Sequence, residues 1–427
     1  MIDSVATAIG AIAALGGLVA AFFLFRSYPR VLMVTWALVL FFVPIWVGAQ
    51  AGVYFSALIV VTILGIASAS LDGLRWSVVD SLMVVFVSLL VVATVVGGAT
   101  WGHVTIVLFD WMIPYVWGRV VLSRIDIDWV HGAIAAAAVA LSLVAIAEFL
   151  SGTNLFISIA TSNPQFQTWS GLQPRGGLLR VEASFGHSIA LGSSLAIAAV
   201  FVAVAKWPAW LRLTSLTIVL TATGMTFSRI GLVGILLALV LSVTFLGPWL
   251  GRSFRVALGI LVATIAAVGI PLVWNVFAEA GAEAAGSAEY RGDLVSLLSD
   301  SAILGITPTW TVLPTGDTYY GSFQSIDSAL ILTALRFGLV PVGVLVVALA
   351  VCLVSMFRGR ATPASVAVLA QVPAFVTVAL ITQYANFVWF TAGLAVASYS
   401  FITRREEISP VENLVARPKI EQGGERT

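Results

Sequence analysis

Five arginines of this 427-residue chain stand in places where a positive charge needs a reason: Arg175, Arg180, Arg229, Arg291 and Arg336. Arginine presents a rigid fork of donors that matches phosphate or carboxylate oxygens and keeps its charge at any physiological pH. Several of them in the polar breaks between apolar runs could hold a diphosphate, an anionic lipid headgroup or the carboxylate of an acidic sugar. Arg229 is the most constrained. It lies in TFSRIG between two apolar runs with almost no loop, so a polar cavity, a partner or the interface must receive its charge. For Arg175 the plain reading is solvated loop charge, and for Arg180 and Arg291 the ligand and surface readings both stand. Arg336 falls inside an apolar run.

The complementary groups are acids and histidines. Asp80, Asp110, Glu148 and Asp327 lie within apolar runs or at their ends. Glu148 reads either as an interfacial carboxylate or as a proton acceptor. Asp327 opens the run SIDSALILTALRFGLVPVG, where it reads as a base or as an acid favoured by a helix N-terminus. Nine residues separate it from Arg336, which at about 100° per residue places the two on opposite faces of one helix, so each needs a partner elsewhere. His187 follows Arg180, Glu182 and Ser184 in LLRVEASFGHSIALG and reads as a helix cap or a site residue. The three histidines are dispersed, the single cysteine lies in an apolar run, and neither a Gly-rich phosphate loop nor HExxH occurs, so no metal and no cofactor is expected. Tyr319 and Tyr320 supply aromatic rings of the kind that stack on sugars or sit at headgroups.

The elements that position these residues follow from composition. Sixty per cent of the residues are hydrophobic and 10% are charged, against roughly a quarter charged in soluble domains. Runs long enough to cross a bilayer, roughly 20 residues each, recur along the chain. The expectation is an all-α, polytopic membrane protein with about 12 to 13 transmembrane helices and two large extracytoplasmic loops. Spans are placed near 5–25, 31–48, 53–70, 78–98, 103–122 and 129–149, then 188–205, 213–227, 230–246 and 255–275, then 327–356, 364–383 and 387–402. The organisation expected is N-terminal helices over 1–150, a first loop over 151–187, helices over 188–276, a second loop over 277–326 containing a short amphipathic helix near YRGDLVSLLSDSAILGI, helices over 327–402, and a disordered cytoplasmic tail over 403–427. The first run begins with Asp3 and lacks a convincing cleavage site, so it reads as a retained helix.

Orientation follows from the basic residues, because cytoplasmic connections retain Lys and Arg. Sixteen of the 21 fall on one set of connections and the tail, namely Arg26, Arg30, Arg75, Arg119, Arg124, Lys206, Arg212, Arg252, Arg255, Arg358, Arg360, Arg404, Arg405, Arg417, Lys419 and Arg426. Both long loops lie on the other side. The N-terminus is therefore expected outside and the C-terminus inside the cell membrane. A formal net charge of +1 without a basic patch excludes nucleic acid as a partner and leaves the lipid bilayer.

Three segments resemble the O-antigen ligase and polysaccharide polymerase superfamily over roughly residues 140 to 400. Arg180 to Gly192 resembles the family's arginine and His-containing approach to the next span. TFSRIG is similar to its Ser-Arg-Gly signature, with Ile230 intervening before Gly231. Arg291 through LGI to Asp327 and RFG resembles its second outer loop and the helix after it. The resemblance implies a metal-independent glycosyltransferase of the GT-C-like, multi-helix kind, whose donor is a glycan on a polyprenyl diphosphate and whose acceptor is a second glycan. A chain-length regulator or a flippase are the partners it implies. On that reading Arg229 and Arg291, with Arg180 third, stabilise the departing diphosphate, and Asp327 accepts the proton ahead of His187 and Glu148. The ligases usually carry His where Asp327 stands, which favours a polymerase branch. The rival is a transporter or flippase of lipid-linked sugars.

Overall fold

The computed structural model describes residues 2–72, 74–175, 178–279, 292–314 and 317–415. It is 74% helix and 4% strand. The principal helices are α1 (Ile2–Ser27), α2 (Pro29–Phe42), α3 (Ala57–Ser68), α4 (Val78–Val95), α5 (Trp101–Ser123), α6 (Ile127–Ser151), α7 (Ser188–Val204), α8 (Ala209–Met225), α9 (Arg229–Phe245), α10 (Arg252–Glu279), α11 (Ala329–Phe337), α12 (Leu339–Ser355), α13 (Pro363–Leu369), α14 (Val372–Thr377) and α15 (Thr382–Val415). Strands occur as three antiparallel pairs: β1 (Gly48–Ala51) with β2 (Val53–Ser56), β3 (Pro174–Arg175) with β4 (Leu178–Leu179), and β5 (Trp310–Val312) with β6 (Thr318–Tyr320).

Among the described residues, four helices are long and apolar enough to cross a membrane: Val78–Val95, Trp101–Ser123, Ile127–Ser151 and Leu339–Arg360. Six further apolar helices have 10 to 17 residues. Several of the expected runs are interrupted or shortened for local reasons. The run 31–48 stops at Phe42, just before Pro44, and the start of the run 53–70 is spent on strand β2. The run 327–356 is two helices, broken at Gly338, whose φ of 97° suits glycine alone. The run 364–383 likewise divides into α13 and α14 around Gln371 and ends before Thr382. At the other end of the chain, α15 continues to Val415, so residues 403–415 are helical; 416–427 lie outside the described residues.

Helix α7 forms the centre. All of its residues except Ile189 are buried, and most are Ala, Ser, Gly or Val, which lets neighbours approach closely. The tightest crossing is with α9, where a side chain on Gly231 would meet the Cα of Gly192 at 3.0 Å. The helices α5 and α15 cross in the same way through Gly118 and Gly393, each set against the other helix's backbone.

The basic connections gather at one end of this bundle. Lys206 pairs with Asp128 at 2.7 Å, Arg30 lies 3.8 Å from Asp126 and over the ring of Trp129, and Arg124 donates to the Ser68 carbonyl. Arg119 does not behave as a loop charge. It is buried and holds Asp80 through two 2.8 Å hydrogen bonds, while Tyr115 and the Ser77 amide complete the carboxylate's partners. Asp110 sits in a π-helical turn, Val107–Met112, and accepts from Asn386. Helix α6 runs from Asp128 at the basic end to Glu148, roughly 30 Å away at 1.5 Å per residue.

Candidate functional site

At that far end, the segment after the first loop threads between helices instead of passing over them. Residues 180–186 are buried, and their backbone polar groups are met by the bundle. The Glu148 carboxylate accepts from the amides of Glu182 and Ala183 at 3.1 and 2.9 Å and from Asn154 Nδ2 at 3.2 Å. The Ser184 hydroxyl donates to the Phe41 carbonyl, and Gln383 Nε2 donates to the carbonyls of Val43 and Ser184. Glu148 therefore acts here as a backbone clamp.

Arg180 is buried at 5% exposure. Its Nε donates to the Thr226 carbonyl at 3.1 Å, and the Val181 amide donates to the Met225 carbonyl. The turn it grips is Thr226–Phe227–Ser228. Ser228 caps α9 by accepting the Gly231 amide at 3.1 Å, and Arg229 is the first helical residue, exposed at the surface. The SRIG string thus has a structural cause for its Ser and its Gly: one caps the helix, and the other permits the crossing with Gly192. Arg229 follows that cap at the surface.

Between Arg180 and Glu148 lies Glu182, 1% exposed, with a carboxyl oxygen that no hydrogen bond reaches. Burial pushes its carboxyl up to about 8, opposed by the charge of Arg180 and reinforced by that of Glu148. His187 caps α7 through Nδ1, which accepts the Ile189 amide at 3.2 Å, and its ring meets Trp169 edge-on. Burial, aided by Arg180, lowers His187 to about 4, so it is neutral at physiological pH. Among the described residues three non-glycine residues adopt positive φ: Ala183 at 46°, Phe227 at 46° and Thr382 at 49°. All three belong to the segments just described, joined through the Arg180–Thr226 and Gln383–Ser184 bonds. Backbone held in this region by its surroundings clusters at functional sites.

No protein-family model matches the chain, and no curated protein matches it. Among the described residues no group of three or more His, Cys, Asp or Glu is placed to hold a metal ion.

The remaining residues singled out in the sequence fall elsewhere. Asp327 is exposed and precedes the helix; Ser328 is the cap of α11, accepting the Ile331 amide, so the opposite-face relation with Arg336 does not apply. Arg336, at the last turn of α11, donates from Nε to the Tyr320 hydroxyl at 3.2 Å. Tyr320 is buried in β6, and its neighbour Tyr319 pairs with Thr311 across the hairpin. Arg175 lies in β3. Arg291 lies outside the described residues; the segment after it is a helical turn over 292–296 and a 3-10 turn over Leu297–Asp300, whose Leu294 and Leu297 pack with Ile326, Ile331 and Leu335. Glu182, Thr226 and Gln383 are the site residues that sequence reasoning missed. Only Glu182 had a signal, an acid two residues after Arg180 in a string otherwise apolar enough to bury.

Proposed function

We propose that this chain is a polytopic membrane glycosyltransferase that polymerises or ligates glycan units carried on a polyprenyl diphosphate at the outer face of the cell membrane, with its N-terminus outside and its C-terminus in the cytoplasm. The observation that carries the reading is the junction of Arg180 with the Thr226 carbonyl, which fixes one arginine-bearing segment against the turn that presents Arg229. That junction lies roughly 30 Å from the basic end of the bundle. In the reaction, an acceptor hydroxyl oxygen attacks the anomeric carbon of the donor, the bond from that carbon to the phosphate oxygen breaks, and the lipid diphosphate departs with the electron pair. Arginines fixed before reaction stabilise the charge on the leaving group more in the transition state than in the ground state. The acceptor proton passes to a carboxylate, Asp327 at the head of α11 or Glu182 beside Arg180. A carboxyl group near 8 is mostly protonated at neutral pH, so Glu182 in that role requires activity that rises with pH.

A transporter of lipid-linked sugars is the second reading. The helices broken at Gly338 and around Gln371 favour it, because transporters build sites at such breaks. Depleting the protein from its host and analysing the lipid-linked glycans by mass separates the readings. Accumulated single repeat units support polymerisation, and accumulated finished polymer on the lipid supports ligation. An unaltered set of glycan bonds refutes both forms of transfer and leaves transport.

A further inference from the structure

A second group of polar side chains closes on itself away from the Arg180 junction. Arg336 is half-buried, and its one hydrogen bond among the described residues uses Nε, to Tyr320 Oη. No carboxylate of the described residues lies within ion-pair distance of its guanidinium. Tyr320 faces Trp310 directly across the β5–β6 hairpin, in the register that sets two side chains on the same face. Trp310 meets the ring of His103 edge-on at 6.5 Å, and His103 meets Phe337, the residue after Arg336, at 6.2 Å. The circuit Arg336–Tyr320–Trp310–His103–Phe337 thereby joins the hairpin of the second polar segment, the last turn of α11 and the first turn of α5. It is held from behind, since the Gly305 and Thr307 amides donate to the carbonyls of Phe337 and Leu335.

Two buried atoms in this circuit have no hydrogen-bond partner: Trp310 Nε1 and His103 Nδ1. An indole nitrogen can only donate, and a buried donor without an acceptor is costly. The Arg336 guanidinium, linked to Trp310 through Tyr320 and without an ion pair among the described residues, makes the same demand for an anionic oxygen.

We infer that Arg336, Trp310 and His103 form an oxyanion-binding site, whose ligand is the carboxylate of an acidic sugar or a phosphate group. The guanidinium fork takes two oxygens, the indole N–H donates to the ligand, and the imidazole, neutral with its proton on Nδ1, donates a further hydrogen bond. The Tyr320 hydroxyl holds Nε and leaves the fork to the ligand. Binding of this kind needs no glycosyl transfer and is separable from it.

Purified full-length protein in nanodiscs of neutral lipid tests this by titration with glucuronate and, separately, with inorganic diphosphate, read by calorimetry and tryptophan fluorescence. Arg336→Gln weakens binding about tenfold or more, in line with loss of a charged hydrogen-bonding pair. Trp310→Phe keeps the ring and removes only the donor, so it weakens binding by a smaller factor even if Arg336→Gln fails to fold. Lys206→Ala, in an exposed ion pair at the basic end of the bundle, leaves these affinities as they are. Of the binding that Arg336→Gln weakens, tighter binding of glucuronate identifies an acidic sugar as the source of the anion, and tighter binding of diphosphate identifies a phosphorylated ligand. Binding of both probes that is indifferent to Trp310→Phe, or no binding of either to the wild-type protein, overturns the inference.

Discussion

Arg180 donates through Nε to the carbonyl of Thr226 at 3.1 Å, and by this bond the end of the first polar loop is fixed to the turn that starts helix α9. The two residues are 46 apart in sequence. The bond therefore spans the whole of α7 and α8, which pack side by side between them. Arg180 is buried, its Nε is met by the backbone of that turn, and its charge opposes the rise of the neighbouring Glu182 carboxyl. The junction is a structural lock and an electrostatic one at once.

Removing Arg180 breaks both. Arg180→Ala removes the buried donor to the Thr226 carbonyl and leaves that acceptor without it, a loss of about 1–3 kcal/mol. As pH rises through about 8 and Glu182 ionises, the loss grows, and Arg180→Ala/Glu182→Gln is expected to recover that added part. Thermal unfolding of the single and double variants in detergent gives the coupling directly, and purely additive effects would refute the pairing.

Two groups at the site titrate in opposite senses. Glu182 is raised from 4.5 to about 8 in the folded state, so the folded protein holds its proton more tightly than the unfolded chain does. Its contribution to stability is fully present below about 4.5 and is lost as pH rises through about 8. His187 is lowered from 6.5 to about 4, so its contribution is present above 6.5 and is lost as pH falls toward 4. Melting temperatures measured across this range should lose their alkaline decline in Glu182→Gln and their acid decline in His187→Gln.

What the sequence conveyed was set by range. Apolar composition and the placement of basic residues operate over whole segments, and the structure does bring Arg30, Arg124, Lys206 and their acidic partners to one end. Helix length depends on single residues, and there hydropathy runs overreach: Pro44, the hairpin ending at Ser56 and the left-handed Gly338 each cut an apolar run that reads as continuous. The SRIG string was legible as a unit, but its division of labour was not. Ser228 caps locally, but that Gly231 packs depends on Gly192, which lies 39 residues away. Arg336 was recognisable as a charge within an apolar run, whereas its partners Tyr320 and His103 come from segments no local pattern could bring together.

At the basic end, one pair should matter and others should not. Arg119 and Asp80 are nearly excluded from solvent and share two hydrogen bonds, with Tyr115 as a third partner. Arg119→Ala is expected to destabilise by about 3–5 kcal/mol because Asp80 is left buried and charged. Lys206→Ala disrupts an exposed bridge and should cost about 0–1 kcal/mol. Equal shifts in melting temperature for the two variants would contradict the burial difference.

The SRIG string allows stability and turnover to be separated within four residues. Ser228→Ala removes the cap on the Gly231 amide and should cost about 1 kcal/mol. Gly231→Val places a branched side chain where a single carbon already meets Gly192 at 3.0 Å, and overpacking of this kind costs about 1–3 kcal/mol or more. Arg229→Ala changes an exposed residue that follows the cap, so its effect on stability should stay within about 0.5 kcal/mol. If Arg229 handles the leaving group, Arg229→Ala abolishes glycan transfer while the protein melts and accumulates as wild type does, and Arg229→Lys restores only part of the activity because an ammonium cannot grip two oxygens at once. Full activity in Arg229→Ala would reduce the string to a helix cap and a packing contact, and would shift the leaving-group role to Arg180.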